Sequence, residues 1–169
     1  MNFRLAEKSD LPKLNELFKA VVDNLHNVQK VDMWNNVYPF CEFEHDISNK
    51  EMYIIENENK VIGSFVLTEY DDPEYHSIDW TSNNKKWIYL DRLAISPYEQ
   101  GKGYAKQAME FVDKYAANNN YEVIRLLVYE KNKGAIGLYE KLGFIKVENG
   151  YWKFKDKIFV AYEKDVKNM

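Results

Sequence analysis

The chain has 169 residues, the size of one globular domain. Apolar residues make up 46% and charged residues 30%, which excludes an intrinsically disordered chain. The net charge of −4 argues against a sequence-independent nucleic-acid binder, because such affinity comes from basic residues that contact phosphates. The single cysteine, Cys41, excludes an internal disulfide and a cysteine-based zinc site, and the three histidines have no metal-ligand spacing.

No stretch of the sequence approaches the roughly 18 consecutive apolar residues of a transmembrane helix. The first residues, Met1 to Leu5, also lack the apolar centre of a secretory signal. We therefore expect a cytoplasmic protein with neither a membrane nor a nucleic acid as partner. Aromatic residues are unusually frequent, at 15% with 13 tyrosines, and they indicate either a large core or a cleft lined by rings.

The first half of the chain predicts a strand, a long helix and a hairpin. Ser9 is expected to cap the helix, with Asp10 in the first turn, where a negative charge suits the helix dipole. The hairpin strands follow a change of period near residue 52 and are joined by a turn at 57–60. In chain order, the predicted elements are a strand at 3–5, a helix from Ser9 to about Asn27, a short helix at 40–47, and strands at 52–55 and 61–67.

The second half begins with a segment at 69–80 that carries five carboxylates and no Lys or Arg. The strongest strand signal follows at 86–95, where alternation places Asp91 and Ile95 on one face and Arg92 on the other. The remaining predicted elements are a helix that opens after residue 103 and ends at 118–120, a strand at 123–128, a helix at 133–142 stopped by Gly143, and strands at 144–147 and 158–162. This order predicts a single α/β or α+β domain with a mixed sheet.

The most informative segment is the loop at 100–103, which connects the strong strand to a helix. Free backbone N–H groups at a helix start favour an anion, and Gly101 and Gly103 let an oxygen approach the backbone. The loop therefore indicates a phosphate or pyrophosphate site, although a tight turn without a ligand fits the same glycines. The dinucleotide-binding fingerprint does not fit because Lys106 replaces its third glycine, and the P-loop pattern is absent.

Two segments resemble the motifs of the GCN5-related N-acetyltransferase (GNAT) family. Gln100, Gly103 and Ala105 match the signature Gln/Arg-x-x-Gly-x-Gly/Ala, and residues 132–144 resemble Asn-x-x-Ala-x-x-x-Tyr-x-x-x-Gly-Phe. One helix and one strand separate the two motifs, as in the family. The resemblance extends in element order over nearly the whole chain and is weakest at 27–50 and 148–157.

The resemblance implies a fold and a co-substrate. The fold is the acyl-CoA N-acyltransferase fold, with one N-acetyltransferase domain over 1–169 and about four helices around the sheet. In that fold the strand ending at Ile95 splays from the strand ending near Val128, and acetyl-CoA lies between them with no metal. The implied cofactor-binding residues are Leu93, Ala94, Ile95, Gln100, Gly101, Lys102, Gly103, Tyr104, Ala105, Asn132, Ala135 and Tyr139.

The implied reaction requires a base and a proton donor. A primary amine with a pKa of about 10.4 is almost wholly protonated at pH 7, so deprotonation accounts for roughly 4–5 kcal/mol of the barrier. Tyr139 is the family's usual donor to the departing sulfur. Asp91 is the candidate base, and an ion pair between Asp91 and an arginine is the equally weighted alternative. Tyr89, Asp79 and Glu69 are further candidates for the base.

The expected acceptor is a primary amine, more readily a small molecule than a protein, although protein N-termini and lysine side chains stay open. The candidate acceptor residues are Trp34, Tyr38, Tyr89, Asp79 and Trp80, together with the rest of 69–80 and with Tyr151 and Trp152. The acidic segment also fits a solvated loop, and the rings also fit a core. The competing functions are a non-catalytic CoA-binding sensor of the same fold and a binding module in which the glycine loop is only a turn. The protein is expected to be a monomer or a homodimer.

Overall fold

A computed structural model of the chain describes residues 1–166. These residues form seven strands in one mixed sheet, in the order β1-β2-β3-β4-β5-β7-β6, with four α-helices. The strands are β1 (Asn2–Leu5), β2 (Met52–Asn57), β3 (Lys60–Thr68), β4 (Trp87–Ile95), β5 (Val123–Tyr129), β6 (Ile145–Phe154) and β7 (Lys157–Asp165). The helices are α1 (Leu11–Asn24), α2 (Phe43–Ser48), α3 (Tyr104–Asn118) and α4 (Lys133–Lys141). The mixed α+β fold expected from the sequence is confirmed.

The chain divides into two compact units, and the boundary between them runs through β4 and α3. The first unit holds Met1–Leu67 and Asp91–Ala108, and the second holds Thr68–Leu90 and the chain from Met109 onward. Neither unit contains a membrane-spanning element among the helices of residues 1–166, since none is long and apolar enough.

The core of the first unit lies under α1. Leu14, Leu17, Phe18 and Val21 are buried on one side of this helix, and their spacing is that of a single helix face. The Phe18 ring packs against that of Phe43 with a centroid distance of 4.8 Å. Strands β1, β2 and β3 pair in antiparallel fashion beside this core.

The start of α1 differs from the sequence prediction. Residues Lys8–Asp10 form a separate 3-10 turn, and Ser9 makes no cap. Instead the Asp10 carboxylate accepts a hydrogen bond from the Glu7 amide at 2.9 Å and two from Arg4. The prediction that Ser9 caps the helix was therefore wrong. The Asp10 carboxylate, which Arg4 holds in place, binds the Glu7 amide, so this carboxylate and not the Ser9 hydroxyl stabilises the start of the helical segment.

Gly63 on β3 is the most tightly enclosed glycine of the first unit. A Cβ at this position would lie 2.6 Å from the Ala94 carbonyl oxygen and 2.8 Å from Ile95 Cδ1. We expect Gly63→Ala to destabilise the protein by about 1–3 kcal/mol, because the backbone oxygen cannot move away without shifting β4. The decrease in Tm is measured against Gly137→Ala in α4, where a Cβ meets nothing within 4 Å. Equal Tm values for the two variants would contradict this prediction.

The second unit is built on β5, whose residues all pair with β7 in antiparallel register. Strand β5 is apolar apart from buried Arg125, whose guanidinium lies 4.6 Å from the ring centroid of Trp80. Strand β6 runs to Phe154, seven residues beyond the predicted end at 147. Its pairing with β7 is irregular between Lys146 and Tyr151. This irregularity interrupts the alternation of apolar and polar residues from which a strand is predicted, so the second half of β6 was not predicted.

Candidate functional site

The end of β4 departs from regular strand geometry. Its first residues, Trp87, Ile88 and Tyr89, pair in parallel with β5. Arg92 has a φ of +51°, a left-handed conformation that costs a side-chain-bearing residue roughly 1–2 kcal/mol. The strict alternation predicted for 86–95 is therefore interrupted at Arg92. Such local strain is often found at functional positions.

Asp91 directly precedes this interruption and is partly buried. Within residues 1–166, its carboxylate accepts no hydrogen bond and forms no ion pair. Burial raises the pKa of Asp91 above its ordinary value, and the nearby positive charge of Arg92 opposes that rise. The alternative prediction, an ion pair between Asp91 and an arginine, is not what β4 shows, because the Arg92 guanidinium binds Asp46 instead.

The glycine loop follows β4 and leads into α3. Gly101 and Gly103 have φ values of +77° and +80°, and a Cβ at either position would meet nothing within 4 Å. Glycine is therefore needed here for backbone conformation rather than for space, and the loop stays exposed. The Gln100 side chain reaches back to donate to the Ile95 carbonyl oxygen at 3.4 Å.

Side chains around the loop are paired within the first unit. Lys102 Nζ lies 2.7 Å from Glu99 Oε2, and the Tyr104 hydroxyl accepts a hydrogen bond from Asn57 Nδ2 at 3.1 Å. These contacts fix the loop from its flanks and leave the exposed glycines between them. The arrangement presents backbone N–H groups at the start of a 15-residue helix, which is suited to an anion.

The second motif lies in the second unit and shapes α4. The Asn132 side chain caps this helix by accepting a hydrogen bond from the Ala135 amide at 3.1 Å. Tyr139 is buried and packs edge-on against Phe144, with a centroid distance of 5.6 Å. Gly143 has a φ of +87° and ends the helical segment. The capping role of Asn132 was missed at the sequence level, although Asn before a helix is itself a capping signal.

The acidic segment and the aromatic residues of the second unit form an aromatic–acidic cluster: Asp71, Glu74, Tyr75, Tyr89 and Trp152. The Tyr89 hydroxyl donates to Asp71 at 3.1 Å, and Trp152 Nε1 donates to Glu74 at 2.8 Å. The Tyr75 ring lies edge-on to both Tyr89 and Trp152. Burial and the charge of Asp71 raise the pKa of Tyr89, so its hydroxyl stays protonated. Asp71 and Glu74 were not singled out from the sequence, where only the run of carboxylates gave a signal.

The other candidates from this region have different surroundings. Trp80 is 5% exposed and packs against Tyr89, whereas Asp79 is exposed. Glu69 is exposed and accepts a hydrogen bond from Tyr121 at 2.7 Å. Tyr151 is exposed, and its hydroxyl accepts a hydrogen bond from Lys146.

The acceptor candidates of the first unit also divide by burial. Trp34 is 7% exposed and packs on Phe18 at a centroid distance of 5.5 Å. Tyr38 is exposed, and its hydroxyl accepts a hydrogen bond from Arg92 Nη1 at 3.3 Å. The structure thus brings Tyr38 and Arg92 together beside Asp91, a grouping that the sequence did not indicate.

The chain matches the model of the acetyltransferase (GNAT) family over residues 16–144. It is 27% identical over 100 residues to human N-acetyltransferase 8B, a match that covers 59% of this chain and 40% of the human protein. It is 23% identical over 141 residues to the peptidyl-lysine N-acetyltransferase YiaC of Escherichia coli K12, covering 83% of this chain and 81% of that protein.

Solved structures of acetyltransferases have a similar fold. The fold is similar to that of a Staphylococcus aureus Mu50 protein assigned as an acetyltransferase, with a TM-score of 0.74, 28% identity, and coverage of 99% of this chain and 100% of the other. It is also similar to a GNAT-family acetyltransferase of Listeria monocytogenes 4b F2365, with a TM-score of 0.76, 21% identity, and coverage of 97% and 94%. From the matched family model, with the glycine loop and the capped helix α4 in the expected order, the chain belongs to the GNAT family of acetyltransferases.

Proposed function

We propose that residues 1–169 act as one catalytic domain that transfers the acetyl group of acetyl-CoA to a primary amine by direct attack in a ternary complex. The observation that carries this proposal is the glycine loop. Gly101 and Gly103 both adopt left-handed conformations directly before α3, in a member of a family whose enzymes use acetyl-CoA as co-substrate. The loop is exposed, and a Cβ at Gly101 or Gly103 would meet nothing within 4 Å, so there is space beside the loop for a pyrophosphate.

The remaining cofactor contacts follow from the family resemblance. The backbone of Leu93, Ala94 and Ile95 would pair with the pantetheine arm, and an N–H of this stretch would stabilise charge on the acyl oxygen. Gln100 supports this stretch, since it is hydrogen-bonded to Ile95. The loop amides from Gly101 to Ala105 would hold the pyrophosphate, and Asn132, Ala135 and Tyr139 would contact the rest of the cofactor.

The nitrogen of a protonated primary amine loses two protons in this chemistry: one before it attacks, and a second from the adduct, which balances the proton that the departing thiolate takes up. In the proposal Asp91 takes the amine proton directly or through a water, since its raised pKa makes it a better base than an exposed aspartate. The amine nitrogen bonds to the acyl carbon, and the bond from that carbon to sulfur breaks. Tyr139 donates a hydrogen bond to the departing thiolate. Full proton transfer is uphill by about 1.5 pK units between a free phenol and a free thiol, so hydrogen bonding is the main role.

The proposed acceptor is a small amine that the acidic segment attracts. Asp71 and Glu74 place negative charge beside the rings of Tyr75 and Trp152, and an alkylammonium group is attracted to both. A protein amine is the second candidate, because the similar protein YiaC is a peptidyl-lysine N-acetyltransferase. A non-catalytic CoA-binding sensor is the remaining alternative.

An amine panel tests the function. The protein is mixed with acetyl-CoA and with polyamines, arylalkylamines, amino acids and lysine peptides, and release of free CoA thiol is followed. Amine-dependent thiol release supports the proposal, and the best amine identifies the acceptor class. Thermal stabilisation by CoA without turnover on any amine would favour a sensor, and no stabilisation at saturating CoA would favour a module without a cofactor.

A glycine substitution tests the loop directly. We expect Gly103→Ala to weaken acetyl-CoA binding at least about tenfold, because a Cβ disfavours the left-handed conformation by roughly 1–2 kcal/mol and realigns the amides. Calorimetric Kd values for acetyl-CoA measure the effect. Gly137→Ala, in the middle of α4, should retain the wild-type Kd. If Gly103→Ala binds acetyl-CoA normally, the loop does not hold the cofactor.

A further inference from the structure

Arg92 follows Asp91 in sequence and its charge acts on Asp91, yet its guanidinium is bound elsewhere. Its guanidinium donates two hydrogen bonds to Asp46 of α2, from Nε at 3.0 Å and from Nη2 at 2.7 Å. The Asp46 side chain is 2% exposed and that of Arg92 12% exposed, so this two-point contact is largely shielded from water. A contact of this geometry is among the strongest that a guanidinium makes.

The alternative partner for Arg92 would be Asp91. An opposite charge within hydrogen-bonding distance lowers a carboxylate pKa by about 1–3 units and occupies its oxygens. Either effect would weaken Asp91 as a base. Asp46 holds the guanidinium on α2, so Arg92 acts on Asp91 only through its nearby charge and donates no hydrogen bond to it. The left-handed backbone conformation of Arg92 lies at the same place, since it interrupts the regular strand geometry of β4 at this residue.

We infer that Asp46 is a positioning residue that sequesters Arg92 and thereby keeps the Asp91 carboxylate unpaired and able to accept a proton. This inference rests on the proposed function, in which Asp91 is the base. Asp46 itself touches neither the acetyl group nor the amine in this scheme. It acts through Arg92 alone.

Other charged groups face the two carboxylates. The charge of Glu51 acts on both Asp91 and Asp46, and Glu42 acts on Asp46. His45 Nδ1 lies 3.9 Å from Asp46 Oδ1, and its ring is exposed. The Tyr38 hydroxyl accepts a hydrogen bond from Arg92. Arg92 is the only cationic group among these that acts on Asp91, so its position controls the electrostatic effect.

The test compares Asp46→Asn with the double variant Asp46→Asn/Arg92→Gln. The carboxyl carbon-13 signal of Asp91 is titrated by NMR in each protein, and the acidic limb of kcat/KM is recorded with the best amine. In Asp46→Asn the freed Arg92 should lower the pKa of Asp91 by at least about one unit and reduce kcat/KM at neutral pH at least about tenfold. In the double variant both values should recover to those of the wild type or slightly above them, because neither of the two substituted side chains carries a charge that acts on Asp91.

The outcomes separate this inference from a purely structural role. If Asp46→Asn loses thermal stability but leaves the Asp91 titration and the acidic limb in place, the inference is wrong. If Asp46→Asn does not fold, the double variant, which leaves neither Arg92 nor Asp46 as an unpaired buried charge, still decides. A wild-type Asp91 pKa at least one unit below that of the double variant would show that Asp46 does not neutralise Arg92. Because the NMR titration needs no turnover, a protein that transfers no acetyl group would overturn the proposed function without obscuring this result.

Discussion

Asp91→Asn is expected to lower kcat/KM at pH 7 by about 10²-fold or more and, at the same time, to raise Tm. A positioned base contributes about 10²–10⁴-fold to the rate of a proton transfer, and an amide cannot accept the proton. The gain in stability comes from burial, which raises the pKa of the Asp91 carboxylate in the folded protein. A charged carboxylate at this position is therefore more costly in the folded protein than in the unfolded chain.

The pH dependence has a defined sign. Because the folded pKa is raised, the stability associated with Asp91 is fully present below the ordinary value of about 3.9 and is lost as pH rises through the raised value. The Tm difference between Asp91→Asn and wild type should therefore grow as pH rises through that range. In the wild-type enzyme, kcat/KM should fall as pH falls through the same raised pKa.

A matched substitution controls for the loss of one negative charge. Asp23→Asn changes an exposed aspartate of α1 and should leave both kcat/KM and Tm near wild type. Normal turnover by Asp91→Asn, with an unshifted acidic limb, would assign the base elsewhere and direct attention to Tyr89, Glu69 or Asp79. Loss of both activity and Tm would instead identify a structural role.

Tyr139→Phe is the second substitution with a large expected effect. We expect kcat to fall about 10²-fold, while the Kd for acetyl-CoA changes by no more than about threefold. Phenylalanine keeps the ring that packs on Phe144 and removes only the hydroxyl that would donate to the sulfur. Single-turnover rates and calorimetric Kd values measure the two quantities separately.

The control for Tyr139→Phe is Tyr162→Phe in the same unit. Tyr162 is also buried, and its hydroxyl donates to Glu140 at 3.0 Å, so this variant loses a phenol of similar environment. It should lose some stability and retain its turnover. Unchanged kcat in Tyr139→Phe would remove that hydroxyl from the mechanism, and equal losses in both variants would indicate a general effect on packing.

Periodicity predicted the element order well because burial follows it closely. In α1, the helical spacing of Leu14, Leu17, Phe18 and Val21 places them on one face, and all four are buried. The ends of helices and strands were harder to predict, since they depend on contacts between residues that are distant in sequence. At the start of the first helix, Asp10, which is bound by Arg4, takes the role that was expected of Ser9. In β6, the irregular pairing with β7 is why the second half of the strand was not predicted.

The candidate site was predictable only where local chemistry dictates it. Gly101 and Gly103 have positive φ values, which a residue with a Cβ adopts only at an energetic cost, so the glycine pair is visible in the sequence. Asp46 and Arg92 are 46 residues apart, and no spacing rule connects them. The same holds for Glu74 and Trp152, which are 78 residues apart. Such pairs form only when the sheet and helices bring them together.

The division into two units has a consequence for how this protein can vary. Each unit is assembled from two separated stretches of sequence, Met1–Leu67 with Asp91–Ala108 and Thr68–Leu90 with the later chain. No uninterrupted piece of the gene encodes either one, so a single crossover cannot exchange a whole unit between relatives. We expect new acceptor preferences in this lineage to arise through point substitutions rather than through shuffling of modules.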